Sequence, residues 1–323
     1  MIPINLEYDP KFLEEEERDG YLVSAEMKKL WLVELDILNK FIQVCEKNNL
    51  MYWADAGTLL GAVRHNGFVP WDDDIDVIMP RVDYEKLYEI GQDEFKYPYY
   101  LEYVWNGWGF FLKIKRLDTT RIAVRKGVVP NFEKKMIQRF PPCISIDIFS
   151  LDNCPDTQEE RQKYYRTFLT VLRNNIAIGR VFSKCSFNEN RFDKFRKIMD
   201  YTLNNYTIIS KKYNSKTTEY VYNSCIPYYH LRDGFVRKRM DYEGFVYKPF
   251  EMLNLKCPVG YENILDVIYT QRTGKPWNEP VKNLGMHNQE LDLFLDFDNP
   301  YTKYSINVLS GPNIQRYNPN KQQ

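Results

Sequence analysis

Pro70-Trp71-Asp72-Asp73-Asp74-Ile75-Asp76-Val77 is the stretch on which the reading of this chain turns. Its second half predicts a strand over 74–79, stopped by Pro80. Side chains alternate between the faces of a strand. Asp74 and Asp76 therefore share one face, while Ile75 and Val77 enter the core from the other. Two carboxylates that close repel each other, and burying them unpaired is costly. A hard divalent cation with oxygen ligands, Mg²⁺ or Mn²⁺, resolves the conflict. The plain alternative is a solvated acidic loop. The interleaved apolar residues and Trp71 argue against that alternative. Asp72, Asp74 and Asp76 also match positions 1, 3 and 5 of an EF-hand. Val77 stands where that loop needs glycine, and Asp83 where it needs glutamate, so this reading is rejected. An Asp-x-Asp that holds a nucleotide-sugar metal stays open on these residues.

About fifteen residues upstream lies Gly57-Thr58-Leu59-Leu60-Gly61. The sequence predicts a short strand over 50–54 and a short helix over 58–65, capped by Thr58 and ended by Asn66-Gly67. Gly57 lets a backbone come close to a ligand. The first amides of the helix carry partial positive charge and form a natural phosphate cradle. Taken alone, this is a capped helix with two packing glycines. Followed by a strand with Asp-x-Asp, it sets an anion site beside a cation site. That is the layout of a nucleotidyltransferase fold.

Further strands are predicted over 110–117 and 143–149. In the second, Ile144, Ile146 and Ile148 occupy one face and Asp147 the other. If this strand neighbours the first, Asp147 is a metal ligand or the base for an acceptor hydroxyl. Lys113 and Lys115, two apart, share a face and can reach donor phosphates. Asp152 is read as a turn cap, Asp83 as the cap of a helix over 84–91, and Arg237-Lys238-Arg239 as a solvated turn. Three histidines (65, 230, 287) build no His-rich metal site. His65 reads as a helix C-terminal residue, and His287 as a candidate substrate contact in a loop.

The rest of the chain frames this centre. Residues 24–48 predict an amphipathic helix, with Met27, Trp31, Leu35, Leu38, Ile42 and Cys45 at 3–4 spacing and Ser24 as cap. After Asn153 the pattern turns helical, over 156–179, 190–213 and 261–269. The expected organisation is an α/β (α+β) catalytic part at 1–153 with a mixed sheet flanked by helices. A mostly helical part at 154–295 completes the acceptor pocket, and a polar, loose tail covers 296–323. No Gly/Pro/Ser linker separates the parts, so one compact unit is equally consistent. The 323 residues carry 44 Lys+Arg and 44 Asp+Glu, a neutral balance without the electrostatic footprint of a nucleic-acid binder. No apolar run of about 18 residues and no secretory leader are present, so a cytoplasmic protein is expected. The six cysteines form no CxxC pair and read as reduced, mostly buried thiols.

The long motif from Tyr52 to Val77, Tyr-Trp-Ala-Asp-Ala-Gly-Thr-Leu-Leu-Gly-Ala-Val-Arg-His-Asn-Gly-Phe-Val-Pro-Trp-Asp-Asp-Asp-Ile-Asp-Val, resembles the signature of the LicD family. That family includes bacterial phosphorylcholine transferases and is related to the fukutin proteins. Ile146-Asp147-Ile148-Phe149-Ser150-Leu151-Asp152 is similar to the family's Ile-Asp-Ile-Phe-Pro-Leu-Asp, with Ser150 in place of proline. Pro258-Val259-Gly260-Tyr261 resembles its C-terminal Pro-x-Gly-Tyr element. The chain then reads Tyr269-Thr270-Gln271-Arg272 where the family often has Tyr-Gly-Asp-Tyr, a departure that bears on acceptor contacts. The resemblance implies transfer of a phospho-substituent, such as phosphocholine, from a CDP-linked donor to a hydroxyl of a surface glycan, as in lipopolysaccharide or capsule synthesis. A lipid-linked acceptor would bring peripheral contact with a membrane, at its inner face. By the same resemblance Asp72 joins Asp74 and Asp76 in the metal site. Rival readings are a nucleotide-sugar glycosyltransferase, a nucleotidyltransferase that consumes an NTP, and a catalytically silent nucleotide-binding protein of this fold.

Overall fold

The computed structural model describes residues 3–105, 109–125, 131–133, 136–138, 140–183, 189–279 and 291–308. Its strands are β1 (Glu16–Arg18), β2 (Tyr21–Val23), β3 (Trp53–Ala54), β4 (Asp76–Pro80), β5 (Tyr99–Trp105), β6 (Phe110–Arg116), β7 (Thr120–Arg125), β8 (Met136–Gln138), β9 (Ser145–Asn153), β10 (Tyr220–Asn223), β11 (Arg237–Lys238), β12 (Phe245–Phe250), β13 (Leu253–Pro258), β14 (Leu291–Asp296) and β15 (Ile306–Val308). Its main helices are α1 (Ala25–Lys47), α2 (Ala56–Arg64), α3 (Arg81–Glu94), α4 (Gln158–Ser183), α5 (Glu189–Ser210) and α6 (Tyr261–Leu265). The result is an α/β fold.

The central sheet runs β11-β10-β9-β4-β3, and the β5/β6 hairpin joins it through β6 on β9. β4 and β9 are parallel, and the other pairings are antiparallel. Val77, Ile78 and Met79 are all fully buried, because the middle of β4 is covered on both faces. Ile146 and Ile148 of β9, and Ile144 just before it, are buried in the core as their alternation predicts.

α1 begins at Ser24, whose Oγ accepts the Met27 N–H at 3.2 Å. It packs against β6 and β9. The amphipathic pattern understates its burial, since Lys28, Glu34 and Asp36 are buried as well as its apolar stripe. Each of these charges has a partner. Lys28 meets Glu16 at 2.8 Å, Glu34 meets Arg121 at 2.9 Å, and Asp36 meets Arg116. A buried charge left alone would cost several kcal/mol, so these pairs fix the helix in rotation as well as position.

The sheet does not stop at residue 153. Val221 to Asn223 of β10 pair with Leu151 to Asn153, so the later part of the chain extends the sheet. Phe250, Leu255, Cys257, Ile264 and Leu265 share one core with α1 and β4. A second core is mainly aromatic, with Phe110, Tyr164, Phe168, Tyr206 and Tyr222. Much of the chain's tyrosine content is therefore packing material. Of the segment read as a loose tail, Ile306–Val308 pairs with Met136–Gln138, and β14 pairs with β7 just before it. Residues beyond 308 lie outside the described set, as do His287 and Cys185. The other five cysteines are buried free thiols. No helix among the described residues is long and apolar enough to cross a membrane.

Candidate active site

The acidic residues converge at the N-terminal end of the two parallel strands. Asp76 opens β4 and lies opposite Asp147 of β9 in register, and Asp147 lies opposite Lys113 of β6. The Lys113 Nζ is 2.6 Å from the Asp147 carboxylate. On the other side, the Asp55 N–H donates to the Asp76 carbonyl at 3.0 Å, so the end of β3 brings a further carboxylate beside Asp76. The loop before β4 contributes Asp72, Asp73 and Asp74, whose carboxylate oxygens approach within 4.8 Å of one another. Burial, then Asp74, Asp147, Asp55 and Asp72, push the Asp76 carboxyl well above the usual carboxylate range. Negative charge is in excess here, and this is the condition under which a cation binds.

Three cations are already committed. Arg237 holds Asp55 at 2.8 Å, Arg121 holds Asp73 at 2.8 Å, and Lys113 holds Asp147. Glu34 lies behind the loop with Arg121 on one oxygen, while its Oε2 has no hydrogen-bond partner among the described residues. Its carboxyl is pushed well up by burial and then, against the pull of Arg121, by Asp73, Asp74 and Asp72. Tyr269 borders the same acids. Its phenol is pushed up by burial and by Asp72, Asp76, Asp55 and Asp74.

α2 begins at Ala56, with Asp55 and not Thr58 in the N-cap position. The Asp55 side chain makes no capping bond, because its carboxylate turns to Arg237. The first turn of α2 thus has no side-chain cap, and its start stands beside Asp76. Thr58 sits inside the helix, buried, and its Oγ accepts the Asp76 N–H at 2.8 Å. Its role is to lock the helix to the strand. Ala56 takes φ 44°, a left-handed backbone that costs a residue with a Cβ about 1 kcal/mol. Such strain concentrates at functional sites. Gly57 is required by a different neighbour than its motif suggests. A Cβ there would lie 2.1 Å from the Asp72 Oδ2, so the missing side chain makes room for a carboxylate.

Several expectations change. Lys115 shares a face with Lys113, but it is buried against Glu102 and donates to the Pro141 carbonyl at 2.8 Å. Asp152 caps no turn. It forms a buried pair with Arg81, Nε to Oδ1 at 2.9 Å, and accepts from Asn214. Asp83 is not a cap either, since α3 starts after Pro80; its Oδ2 accepts the Met51 N–H at 3.2 Å. Arg237, read as solvated, is 2% exposed. His65 does stand at the C-terminus of α2, with its Nε2 2.7 Å from the Asp19 carboxylate. The reading of the residues passed over Asp55, Arg121, Arg237, Glu34 and Tyr269 as site residues. Asp55 alone carried a signal, as a carboxylate that directly follows a buried strand.

The sheet thus gathers carboxylates at the N-terminal ends of β4 and β9, beside a helix start that has no side-chain cap. Residues 49–136, the segment that carries the acid loop, match the model of the LicD/FKTN/FKRP nucleotidyltransferase domain. The chain is 44% identical over 81 residues to the lipopolysaccharide cholinephosphotransferase LicD of Haemophilus influenzae, covering 24% of this chain and 31% of that protein. It is 40% identical over 78 residues to an uncharacterized protein of Rickettsia prowazekii, covering 24% of this chain and 28% of the relative. The similarity thus spans about a third or less of each of these relatives. Asp147 lies beyond the stretch matched by the family.

Proposed function

We propose that this protein is a metal-dependent transferase that moves a phospho-substituent, phosphocholine or a close relative, from a CDP-linked donor to a hydroxyl of a cell-surface glycan. The observation that carries the reading is the convergence of carboxylates at this end of the sheet, with Asp147 opposite Asp76 in register and the oxygens of Asp72, Asp73 and Asp74 within 4.8 Å of one another. Such a concentration of negative charge fits a divalent cation, Mg²⁺ or Mn²⁺. Asp72, Asp74 and Asp76 would hold it. Bound there, it would supply a Lewis acid that neutralises diphosphate oxygens.

The chain's own residues do the rest. The amides at the start of α2, around Gly57 and Thr58, receive a donor phosphate through the helix dipole. Thr58 keeps that start in register with Asp76. Asp147, beside Asp76, accepts the proton of the attacking hydroxyl. The hydroxyl oxygen bonds to the transferred phosphorus as the phosphorus–oxygen bond to the leaving CMP breaks. Lys113, 2.6 Å from Asp147, orients that base and faces the donor phosphates. The name of the Haemophilus influenzae relative supports choline phosphate as the group and lipopolysaccharide as the acceptor class. A lipid-linked acceptor and contact with the inner face of a membrane, from the cytoplasm, complete this reading.

The test is metal-dependent release of CMP from CDP-choline, CDP-ribitol and CDP-glycerol with candidate glycan acceptors. Asp74→Asn and Asp76→Asn are expected to fold and to lose at least about 3–4 kcal/mol of transition-state stabilisation, the scale of a single oxyanion donor. Normal turnover in either variant removes these residues from the metal role. Release of a nucleoside diphosphate from UDP- or GDP-sugars would indicate a glycosyltransferase instead. Pyrophosphate from an NTP would indicate nucleotidyl transfer. CDP binding without CMP release under any acceptor would indicate a silent binding protein.

A further inference from the structure

Tyr269 is 6% exposed and lies far along the chain from the acid loop. It stands on a wide helical turn, Asp266–Thr270, that continues α6. Turns of this kind recur at functional sites. α6 packs against α2 and β11, the elements that bring Asp55 and Arg237 together. The Tyr269 ring shares its core with Ala54, Ile75 and Val77, the chain neighbours of Asp55, Asp74 and Asp76. Its backbone is fixed. The Tyr269 carbonyl accepts the Thr273 hydroxyl at 2.7 Å, and the Thr270 hydroxyl accepts the Trp277 N–H at 3.1 Å. Arg64, at the end of α2, donates to the Trp277 carbonyl at 2.8 Å and ties this segment to the helix. The hydroxyl is another matter, since it makes no hydrogen bond among the described residues. A polar group on a buried ring that binds nothing in its own protein calls for a reason. Burial and the acids nearby keep the phenol protonated, so it serves as a donor and not as a base. A phosphate oxygen, rich in lone pairs and without a proton, is the partner that such a donor suits.

We propose that the Tyr269 hydroxyl is a catalytic donor that hydrogen-bonds an oxygen of the phosphoryl group in transit. This rests on the functional reading above and deepens it, by adding a substrate contact from the C-terminal part of the chain. No proton changes hands. The O–H stays on the phenol, and its hydrogen bond strengthens as charge builds on the phosphoryl oxygen.

The test compares the full-length wild type with Tyr269→Phe, which removes one oxygen and keeps the ring. CDP and CMP are titrated calorimetrically with Mg²⁺ present, because CDP carries the phosphoryl group in question and CMP lacks it. Tyr269→Phe is expected to weaken CDP binding by about tenfold or more, the scale of a hydrogen bond to a charged group, and to leave CMP binding unchanged. The melting temperature should hold, since no bond within the protein is lost. In CMP release from CDP-linked donors, kcat should fall by about a hundredfold. The binding arm needs no acceptor, so it decides the matter before the right glycan is known. The inference is overturned, with the functional reading intact, if Tyr269→Phe binds CDP as the wild type does. It is also overturned if CDP and CMP weaken alike, or if the melt drops as it would on loss of a structural hydrogen bond. A wild-type chain that binds neither nucleotide with Mg²⁺ overturns the functional reading and this inference together.

Discussion

Gly57→Ala is the substitution that probes the site with the smallest chemical change, one methyl group. The added carbon would stand 2.1 Å from the Asp72 Oδ2, where side-chain carbons essentially never come closer than 3.0 Å. Asp72 cannot yield through its backbone. Its carbonyl accepts the Trp31 indole N–H at 2.8 Å, and its N–H donates to the Val69 carbonyl at 2.9 Å. The carboxylate must therefore rotate away by about 1 Å to restore van der Waals contact. A misplacement of about 1 Å in a reacting constellation costs roughly a hundredfold in rate, or about 2.7 kcal/mol. Stability should move less. Overpacking costs about 1–3 kcal/mol, and alanine recovers up to about 1 kcal/mol as the better helix former in α2. The assay pairs a thermal melt with CMP release and Mn²⁺ affinity. A folded Gly57→Ala protein with wild-type turnover and wild-type Mn²⁺ binding would refute the claim that this glycine exists to seat Asp72.

Other outcomes follow from the same geometry. Asp76 binds its proton more tightly in the folded than in the unfolded chain, because burial and its acidic neighbours raise it. The metal-free protein should therefore gain stability as pH falls from that raised value toward the ordinary carboxylate range, and lose it as pH rises back through the raised value. Above an ordinary carboxylate value of about 3.9, Asp76→Asn should flatten the trend, whereas a melt unaffected by this substitution contradicts it. Lys113→Met should lower turnover. Lys115→Met should instead lower stability by leaving Glu102 buried without its cation, with the donor KM unchanged; a raised KM would return Lys115 to the phosphates. Arg81→Ala strands the buried Asp152 and should cost about 3–5 kcal/mol in urea unfolding. A loss below about 1 kcal/mol, typical of an exposed pair, would contradict the burial argument.

The local parts of this centre were legible because they rest on short periods and on chemistry that one segment displays. The helix at the upstream flank and the alternation of Ile144 to Ile148 around Asp147 fall in this class, whereas the strand expected over 74–79 forms as Asp76–Pro80, so Asp74 lies in the loop before it and does not share a strand face with Asp76. Cap assignments failed where tertiary partners competed for the side chain. Asp55 has the right place to cap α2, but Arg237, 182 residues away, takes its carboxylate. Thr58 looks like a cap and instead binds the amide of Asp76. Asp152 and Arg81 form a pair across 71 residues that no local pattern announces. Arg121 was invisible for the same reason, since its meaning lies in Glu34 and Asp73 and in neither neighbour along the chain. Lys113 and Lys115 carry identical local signals. Only their tertiary partners separate them, Asp147 of β9 for Lys113 and the buried Glu102 of β5 for Lys115. Strand β10 was missed because four residues cannot establish a period amid long helices.

The central claim is that these carboxylates share a divalent cation with a phosphate. Its most direct measurement is anomalous diffraction from crystals soaked with Mn²⁺ and CDP. A peak among Asp72, Asp74 and Asp76, with a diphosphate oxygen beside it, is the predicted result. Well-ordered nucleotide with no peak at these aspartates would contradict the account.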